Sequence, residues 1–289
     1  MKSRMGNRLS VALCVLVLGL AGCTQAPPPD PDVLRFSAIP DQPTRQVIQQ
    51  HEALMNRLCA TIRRSCRWVA AESYESLVER LGRGEVDVAY FGGVTFAQAH
   101  VRHGAVPLAM RDIDFRFTSV IVVRKDAQAH DLDGLKQVRF SFGNRSSTSG
   151  HLMARQRLLD QGVIPERYFA SVAFTTDHDA TLRAVASRDA DAGCVNASVF
   201  YRRVAAGDPA AALLRVVWQT PPFTDYVWAG RRELSASLRQ ELIDAFLDLD
   251  TSTDTDRSAL RAEGATGFVP AYASDFDEVR AVLRSQGLL

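Results

Sequence analysis

The run Ser146-Ser147-Thr148-Ser149-Gly150 gathers hydroxyl groups and a glycine between a β-type stretch, Val138 to Gly143, and a helix-period stretch, His151 to Asp160. The first N–H groups of a helix lack partners within it, and aligned peptide dipoles leave partial positive charge there. Hydroxyls on Ser147, Thr148 and Ser149 add donors without a fixed counter-charge. The chemistry that suits such a run is capture of a small oxyanion by neutral donors. A helix cap in a polar loop has the same composition, so the run by itself leaves both readings open. His178, at the start of a later helical segment, is either a cap or a further donor.

Other chemistries find little support. His51, His100, His103, His130 and His151 lack metal-ligand spacing with a nearby acid or thiol, and Cys59 and Cys66 lack a second Cys or His pair for zinc. His100 and His103 share a helical face, which is two ligands short of a site. No Gly-x-Ser-x-Gly elbow, P-loop or Gly-x-Gly-x-x-Gly fingerprint occurs, and His178 with hydroxyls is the only base-nucleophile set on offer. Neither a metal, a cofactor nor an enzyme is expected.

These residues sit on an alternation of strand and helix. Leu34 to Ile39, Trp68 to Ala70 and Val86 to Phe91 read as strands separated by helices at Thr44 to Ile62 and Tyr74 to Leu81. The alternation returns with strands at Val138 to Ser141, Ala170 to Phe174 and Ala190 to Val195, separated by helices to Asp160 and from His178 to Ser187. Such β-α order predicts an α/β protein of two lobes, each a mainly parallel sheet flanked by helices. Ligands of open parallel sheets sit at the carboxyl ends of strands, here the loops after Ile39, Phe91, Ser141, Phe174 and Val195. Two β-rich runs, Phe115 to Arg124 and Phe223 to Ala229, are long enough to cross between the lobes. They predict lobe one from residues 33–118 plus 224–289, largely helical after Ser235, and lobe two from 119–223. Tyr226 and Trp228 on the second crossing are either core residues or an aromatic wall over a ligand.

At the N-terminus, Lys2, Arg4 and Arg8 precede an apolar run, Leu9 to Leu20, and then Leu20-Ala21-Gly22-Cys23. A charged region, a short apolar core and small residues before a cut describe a secretory signal peptide over residues 1–22, too short to span a membrane. Residues 23–32, with Pro27-Pro28-Pro29, read as a stiff tether. Removal of the three leader cations, with no acid lost, takes the net charge from +1 to −2. That balance gives no sign of the basic patch a nucleic-acid partner needs. Outside the cytoplasm Cys59 and Cys66 are permitted to pair. Seven residues of unbroken helix span about 10.5 Å, so pairing requires the helix to end between them, and Arg63-Arg64-Ser65 offers an end. The pair stays open between disulfide and thiols. Cys194, in apolar surroundings, reads as a buried small residue.

Leu-Ala-Gly-Cys resembles the lipobox of bacterial lipoproteins, in which the cysteine, here Cys23, is acylated and holds the protein at a membrane surface. Most of Leu34 to Trp228 resembles the phosphonate, phosphite and phosphate-binding proteins of bacterial ABC importers. The resemblance rests on Ser73-Tyr74-Glu75-Ser76-Leu77, Gly84 to Gly92, Ser147-Thr148-Ser149-Gly150, His178-Asp179-Ala180, Ala184-Val185 and Asp189 to Gly193. It implies a monomeric solute receptor at the periplasmic face of a bacterial membrane or the extracellular face of the cell membrane, which closes on a tetrahedral oxyanion and hands it to an ABC permease in the inner membrane. It places Tyr74, Phe91, Thr95, Ser147, Thr148, Ser149 and His178 at the anion, His178 as a charge-assisted donor when protonated. Where relatives often have a tyrosine hydroxyl, this chain has Phe91. Asp225 stands where relatives hold an aminoalkyl tail with an acid, while a second such acid is replaced by Ser198, which argues against 2-aminoethylphosphonate. The other reading of the same fold is a sensory module that presents its bound form to a membrane sensor kinase.

Overall fold

The computed structural model describes residues 33–289, so the leader, Cys23 and the Pro-rich tether lie outside the described residues. The first part of the chain alternates as β1 (Val33–Ala38), α1 (Thr44–Thr61), β2 (Ser65–Trp68), α2 (Tyr74–Gly82), β3 (Val88–Phe91), α3 (Gly93–His103) and β4 (Val106–Arg111). The chain then crosses and builds β5 (Ser119–Arg124), β6 (Arg139–Phe142), α4 (Met153–Asp160), α5 (Pro165–Tyr168), β7 (Ser171–Phe174), α6 (His178–Ala186), β8 (Ala192–Asn196), α7 (Ala197–Ala205) and β9 (Leu214–Gln219). It returns with β10 (Val227–Gly230), α8 (Ala236–Leu247), α9 (Asp254–Glu263), β11 (Phe268–Pro270) and α10 (Asp277–Ser285).

Two sheets result, ordered β11-β4-β10-β3-β1-β2 and β7-β6-β8-β5-β9, one in each lobe of a two-lobed α/β fold. Within each, the β-α-β units pair in parallel: β1 with β2 and β3, and β6 with β7 and β8. The sheets are nevertheless mixed. A strand that enters from the other lobe arrives from the opposite end, so β10 lies antiparallel between β3 and β4, and β5 antiparallel between β8 and β9.

Alternation along β5 shows how the second lobe buries both faces of its sheet. Ile121 and Val123 pack with Phe140, Phe142 and Leu158, whereas Val120 and Val122 pack with Leu182, Val195 and Phe200. The first lobe packs Phe36, Leu54, Leu58, Leu77, Phe96, Trp228, Phe246 and Phe276 into one core. Its α1 stops at Thr61, Arg63 turns the chain with φ 53°, and Cys59 and Cys66 are joined by a disulfide, Cα atoms 6.2 Å apart.

The crossings are shorter as strands than their composition suggests. Arg111 grips Asp114 through Nε and Nη2, at 2.9 and 2.6 Å, and this turns the chain before Phe117. Phe117 and Phe223 then exchange backbone hydrogen bonds of 2.8 and 2.9 Å, the point where the two crossings touch. No helix among the described residues is long and apolar enough to cross a membrane.

Candidate functional site

Four helix starts meet at the seam between the lobes, two from each side. Ser73 caps α2 by accepting from the Ser76 amide at 3.0 Å, which places Tyr74 in the first turn. Gly92 precedes α3, and Asp177 caps α6 by accepting from the Ala180 amide at 2.7 Å, so that His178 is its first residue. The Ser-Thr-Ser-Gly run does not begin as an α-helix. Thr148–Leu152 forms a single π-helical turn in which the Leu152 amide reaches back to the Ser147 carbonyl at 3.0 Å. Ser147 Oγ accepts from the Gly150 amide at 2.9 Å, and the amides of Thr148 and Ser149 lie ahead of the first helical bond.

Close approach explains the glycines here. A Cβ on Gly92 would lie 3.1 Å from Thr148 Oγ1 and 3.3 Å from Asp225 Oδ1. One on Gly150 would lie 2.9 Å from Ser147 Oγ and 3.0 Å from His178 Cε1. Thr148, Asp225, Ser147 and His178 are thereby gathered around two bare backbone segments. Tyr74, Ser147, Thr148, Ser149, His178 and Asp225 are all buried.

Within this cluster the Tyr74 hydroxyl, Ser149 Oγ, His178 Nε2 and Asp225 Oδ2 are buried with no hydrogen-bond partner in the protein. Unpaired buried polar atoms are costly, and these four, on residues around the seam, make it the candidate site for a polar ligand. The Asn196 amide points at His178 Nδ1 from 3.4 Å, a long contact that leaves the ring proton on Nε2. Burial pushes the His178 pKa down, against the pull of Asp41 and Asp177. Burial therefore favours the neutral imidazole, an N–H donor, over the protonated form in which the resemblance implies a charge-assisted role. Burial likewise pushes the Tyr74 hydroxyl well above its ordinary range and keeps it protonated, a second neutral donor.

Asp225 is the acceptor among these donors. Its Oδ1 accepts from the amides of Gly93 at 2.8 Å and Tyr226 at 3.0 Å. Burial raises its pKa to about 6 although both amides and the Thr148 hydroxyl favour the carboxylate. Phe91 and Thr95 contribute differently from their neighbours. Phe91 is buried in the core of the first lobe and brings no polar atom to the seam, and Thr95 Oγ1 is turned back to donate to the Gly92 carbonyl at 3.0 Å.

Several bonds cross the seam. The Val94 amide donates to Thr148 Oγ1 at 3.0 Å, and the His178 amide donates to the Asp41 carbonyl at 3.1 Å. Tyr226 OH, which donates to Asp41 Oδ2 within lobe one at 2.7 Å, accepts across the seam from Asn196 Nδ2 at 2.9 Å. Arg203 of α7 grips Asp179 and reaches Gln42 at 3.0 Å and Gln46. Composition gave no reason to single out Asp41 or Asn196, although both follow strand ends of the kind that carry ligands. Cys194 is buried, burial pushes its thiol up, and its Sγ–H donates to the Ser149 carbonyl at 3.5 Å. No group of His, Cys, Asp or Glu among the described residues is arranged to hold a metal.

A clamp of neutral donors between two lobes is the architecture of a solute receptor, and comparison with known proteins identifies which. Residues 36–276 match the family described as the periplasmic substrate-binding protein of phosphonate ABC transporters. The chain belongs to that family. Its members are substrate-binding proteins rather than enzymes. A probable phosphite-binding protein of an ABC transporter from Prochlorococcus marinus is 28% identical over 267 residues, 88% of this chain and 90% of that protein. The phosphate-import protein PhnD of Mycolicibacterium smegmatis is 24% identical across 98% of this chain and 97% of its own. Among solved structures, the Prochlorococcus protein PhnD1 in complex with methylphosphonate superposes with a TM-score of 0.85 at 27% identity, covering 90% of this chain and all of that one. The aliphatic sulphonate-binding protein of Escherichia coli shares the fold alone, with a TM-score of 0.63 at 14% identity.

Proposed function

We propose that this phosphonate-family receptor captures a small, protonated tetrahedral oxyanion of the phosphite, phosphate or alkylphosphonate type between its lobes and delivers it to an ABC permease. The observation that carries the reading is the set of buried, unpaired polar atoms around the seam: neutral donors on Tyr74, Ser149 and His178, and an acceptor on Asp225. Neutral donors match the oxygens of an anion, and a carboxylate matches the one oxygen that carries a proton. Sulfate has no proton to offer at neutral pH and would leave Asp225 facing a second negative charge, so Asp225 acts against it.

Lobe two, residues 119–223, contributes Ser147 to Ser149 and His178. Lobe one, residues 33–118 with 224–289, contributes Tyr74, Asp225 and the start of α3. A ligand that touches both favours closure because those contacts exist together only in the closed form. Cys23, as the acylated residue of a lipobox, holds the receptor at the periplasmic face of the membrane.

Calorimetry on the full chain with phosphite, methylphosphonate, phosphate and sulfate is the test. Binding of at least one of the first three, with sulfate weaker by about tenfold or more, is expected. Absence of binding to every tetrahedral oxyanion would overturn the reading. Membrane fractionation of a Cys23→Ser variant tests the anchor separately: release into the soluble fraction is expected, and retention at the membrane would remove the lipobox.

A further inference from the structure

Four hydrogen bonds close a circuit across the seam, beside the oxyanion cluster. The His178 amide donates to the Asp41 carbonyl at 3.1 Å, and Asp41 Oδ2 accepts from Tyr226 OH at 2.7 Å. Tyr226 OH accepts in turn from Asn196 Nδ2 at 2.9 Å, and the Asn196 amide returns to His178 Nδ1 at 3.4 Å. Asp41 and Tyr226 come from lobe one, His178 and Asn196 from lobe two, so two of the four bonds join the lobes. All four residues are buried. A fifth bond fixes the direction of the circuit: Asn196 Oδ1 accepts from the Val199 amide at 2.9 Å and caps α7, which turns Nδ2 toward Tyr226. The Tyr226 proton is then left for Asp41, and burial beside Asp41 and Asp225 pushes the phenol well above its ordinary range and keeps it protonated.

The circuit meets the cluster at one imidazole. His178 Nε2 is among the buried polar atoms without a partner, whereas Nδ1 of the same side chain faces the Asn196 amide. Asn196 has its amide, its Nδ2 and its Oδ1 engaged, and the Tyr226 hydroxyl both donates and accepts within the circuit. Tyr226 is also held against a backbone preference: its φ of 33° lies in the left-handed region that a bulky residue rarely adopts. Such an outlier persists where its surroundings over-determine it, here through bonds to Asp41 and Asn196 and stacking on Tyr90, ring centroids 5.1 Å apart.

We infer that Asn196 and Tyr226 are positioning residues for the oxyanion site, which set the donor at His178 Nε2 and make its use depend on the lobes being together. This rests on the oxyanion reading above and extends it. A ligand oxygen at Nε2 needs the proton there, and that tautomer leaves a lone pair on Nδ1 for the Asn196 amide. The other tautomer would set one N–H against another. Asn196 is in turn placed by a bond from the opposite lobe, through Tyr226, whose hydroxyl is oriented by Asp41. Bonds in such a chain polarise one another, so an anion at Nε2 strengthens the contact at Nδ1, and the contact at Nδ1 strengthens the grip on the anion.

The experiment measures phosphite, methylphosphonate and phosphate binding to the full chain by calorimetry, for the native protein, Tyr226→Phe, Asn196→Ser and the double variant. Tyr226→Phe deletes one oxygen and keeps the stacking on Tyr90. Serine at 196 keeps an oxygen for the α7 cap while losing Nδ2, so both variants are expected to fold. Each is expected to weaken binding of the tightest of the three ligands by about tenfold. The double variant should bind within about twofold of the weaker single one, because both changes remove the same bond between the lobes. Nitrogen-15 spectra of the histidine-labelled free protein should show the Nε2–H tautomer at His178 in the native chain and a larger share of Nδ1–H in both variants, a change that lost stability alone would not produce. Affinity within about twofold of native in either single variant, losses that multiply in the double variant, or an unchanged tautomer overturns the inference and leaves the oxyanion reading standing. No binding of any of the three ligands by the native chain overturns both.

Discussion

Asp225 is the residue whose charge state most shapes the site. Burial raises its pKa to about 6 in the folded protein, against an unfolded value of about 3.9. The folded state therefore holds a proton that the unfolded chain has released between those values. Stability from this group is fully present below the unfolded pKa and is lost as pH rises through about 6. Asparagine at 225 keeps an oxygen for the amides of Gly93 and Tyr226 but cannot ionise. Thermal unfolding of the ligand-free native protein and of Asp225→Asn, compared from pH 4 to 7, should show the native protein losing about 2 kcal/mol relative to the variant over that range. Parallel profiles would mean that the carboxyl ionises at its ordinary pKa and is solvated. His178 shows the complementary case. Its pKa is pushed down, so it donates as a neutral group and offers no charge that the ligand could lose at neutral pH.

At the scale of elements, the connection from α1 to β2 shows how a covalent link sets a helix end. The Cys59–Cys66 bond spans the turn at Arg63 and fixes β2 at the edge of the first sheet, paired only with β1. A short loop closed in this way restricts the unfolded chain by about 2 kcal/mol. Reduction, or a Cys59→Ser, Cys66→Ser double variant, should lower the denaturant midpoint accordingly without changing ligand affinity, since neither cysteine approaches the seam. An unchanged midpoint would show the bond to be dispensable. What the sequence made legible follows the same division between local and distant. The helix start near Ser147 and the alternation of strands and helices are written in neighbouring residues, so periodicity and donor chemistry expose them. The bond from Val94 to Thr148 and the grip of Tyr226 on Asp41 join residues that lie far apart in the chain. The crossings mislead for a related reason. Phe115 to Arg124 is β-rich throughout, yet the ion pair from Arg111 to Asp114 spends its first residues on a turn.

For the whole molecule, the bonds across the seam divide into those that need the ligand cluster and those that do not. Arg203 to Gln42 and Gln46, Arg157 to Glu278 and Ser146 to Glu75 lie around the cluster and close the lobes without touching it. Exposed or partly buried polar pairs of this kind contribute little each, about 0–1 kcal/mol, and on the proposed hinge closure they form only when the lobes are shut. On that proposal they bias the free receptor toward closure, and the apparent affinity depends on how far that bias reaches, because a ligand that needs the closed form binds in proportion to its population. Removing Arg157 and Arg203 together should open the ligand-free protein while leaving the bound form closed, since the buried donors supply the larger share of the contact energy. Small-angle scattering should give a larger radius of gyration for the free Arg157→Ala, Arg203→Ala variant than for the free native chain, with both converging when saturated by methylphosphonate. Calorimetry on the same pair should show affinity reduced by about three- to tenfold with the same stoichiometry. Identical radii in all four samples would mean that the lobes do not move, and capture would then have to proceed through local motion instead of through the proposed hinge closure.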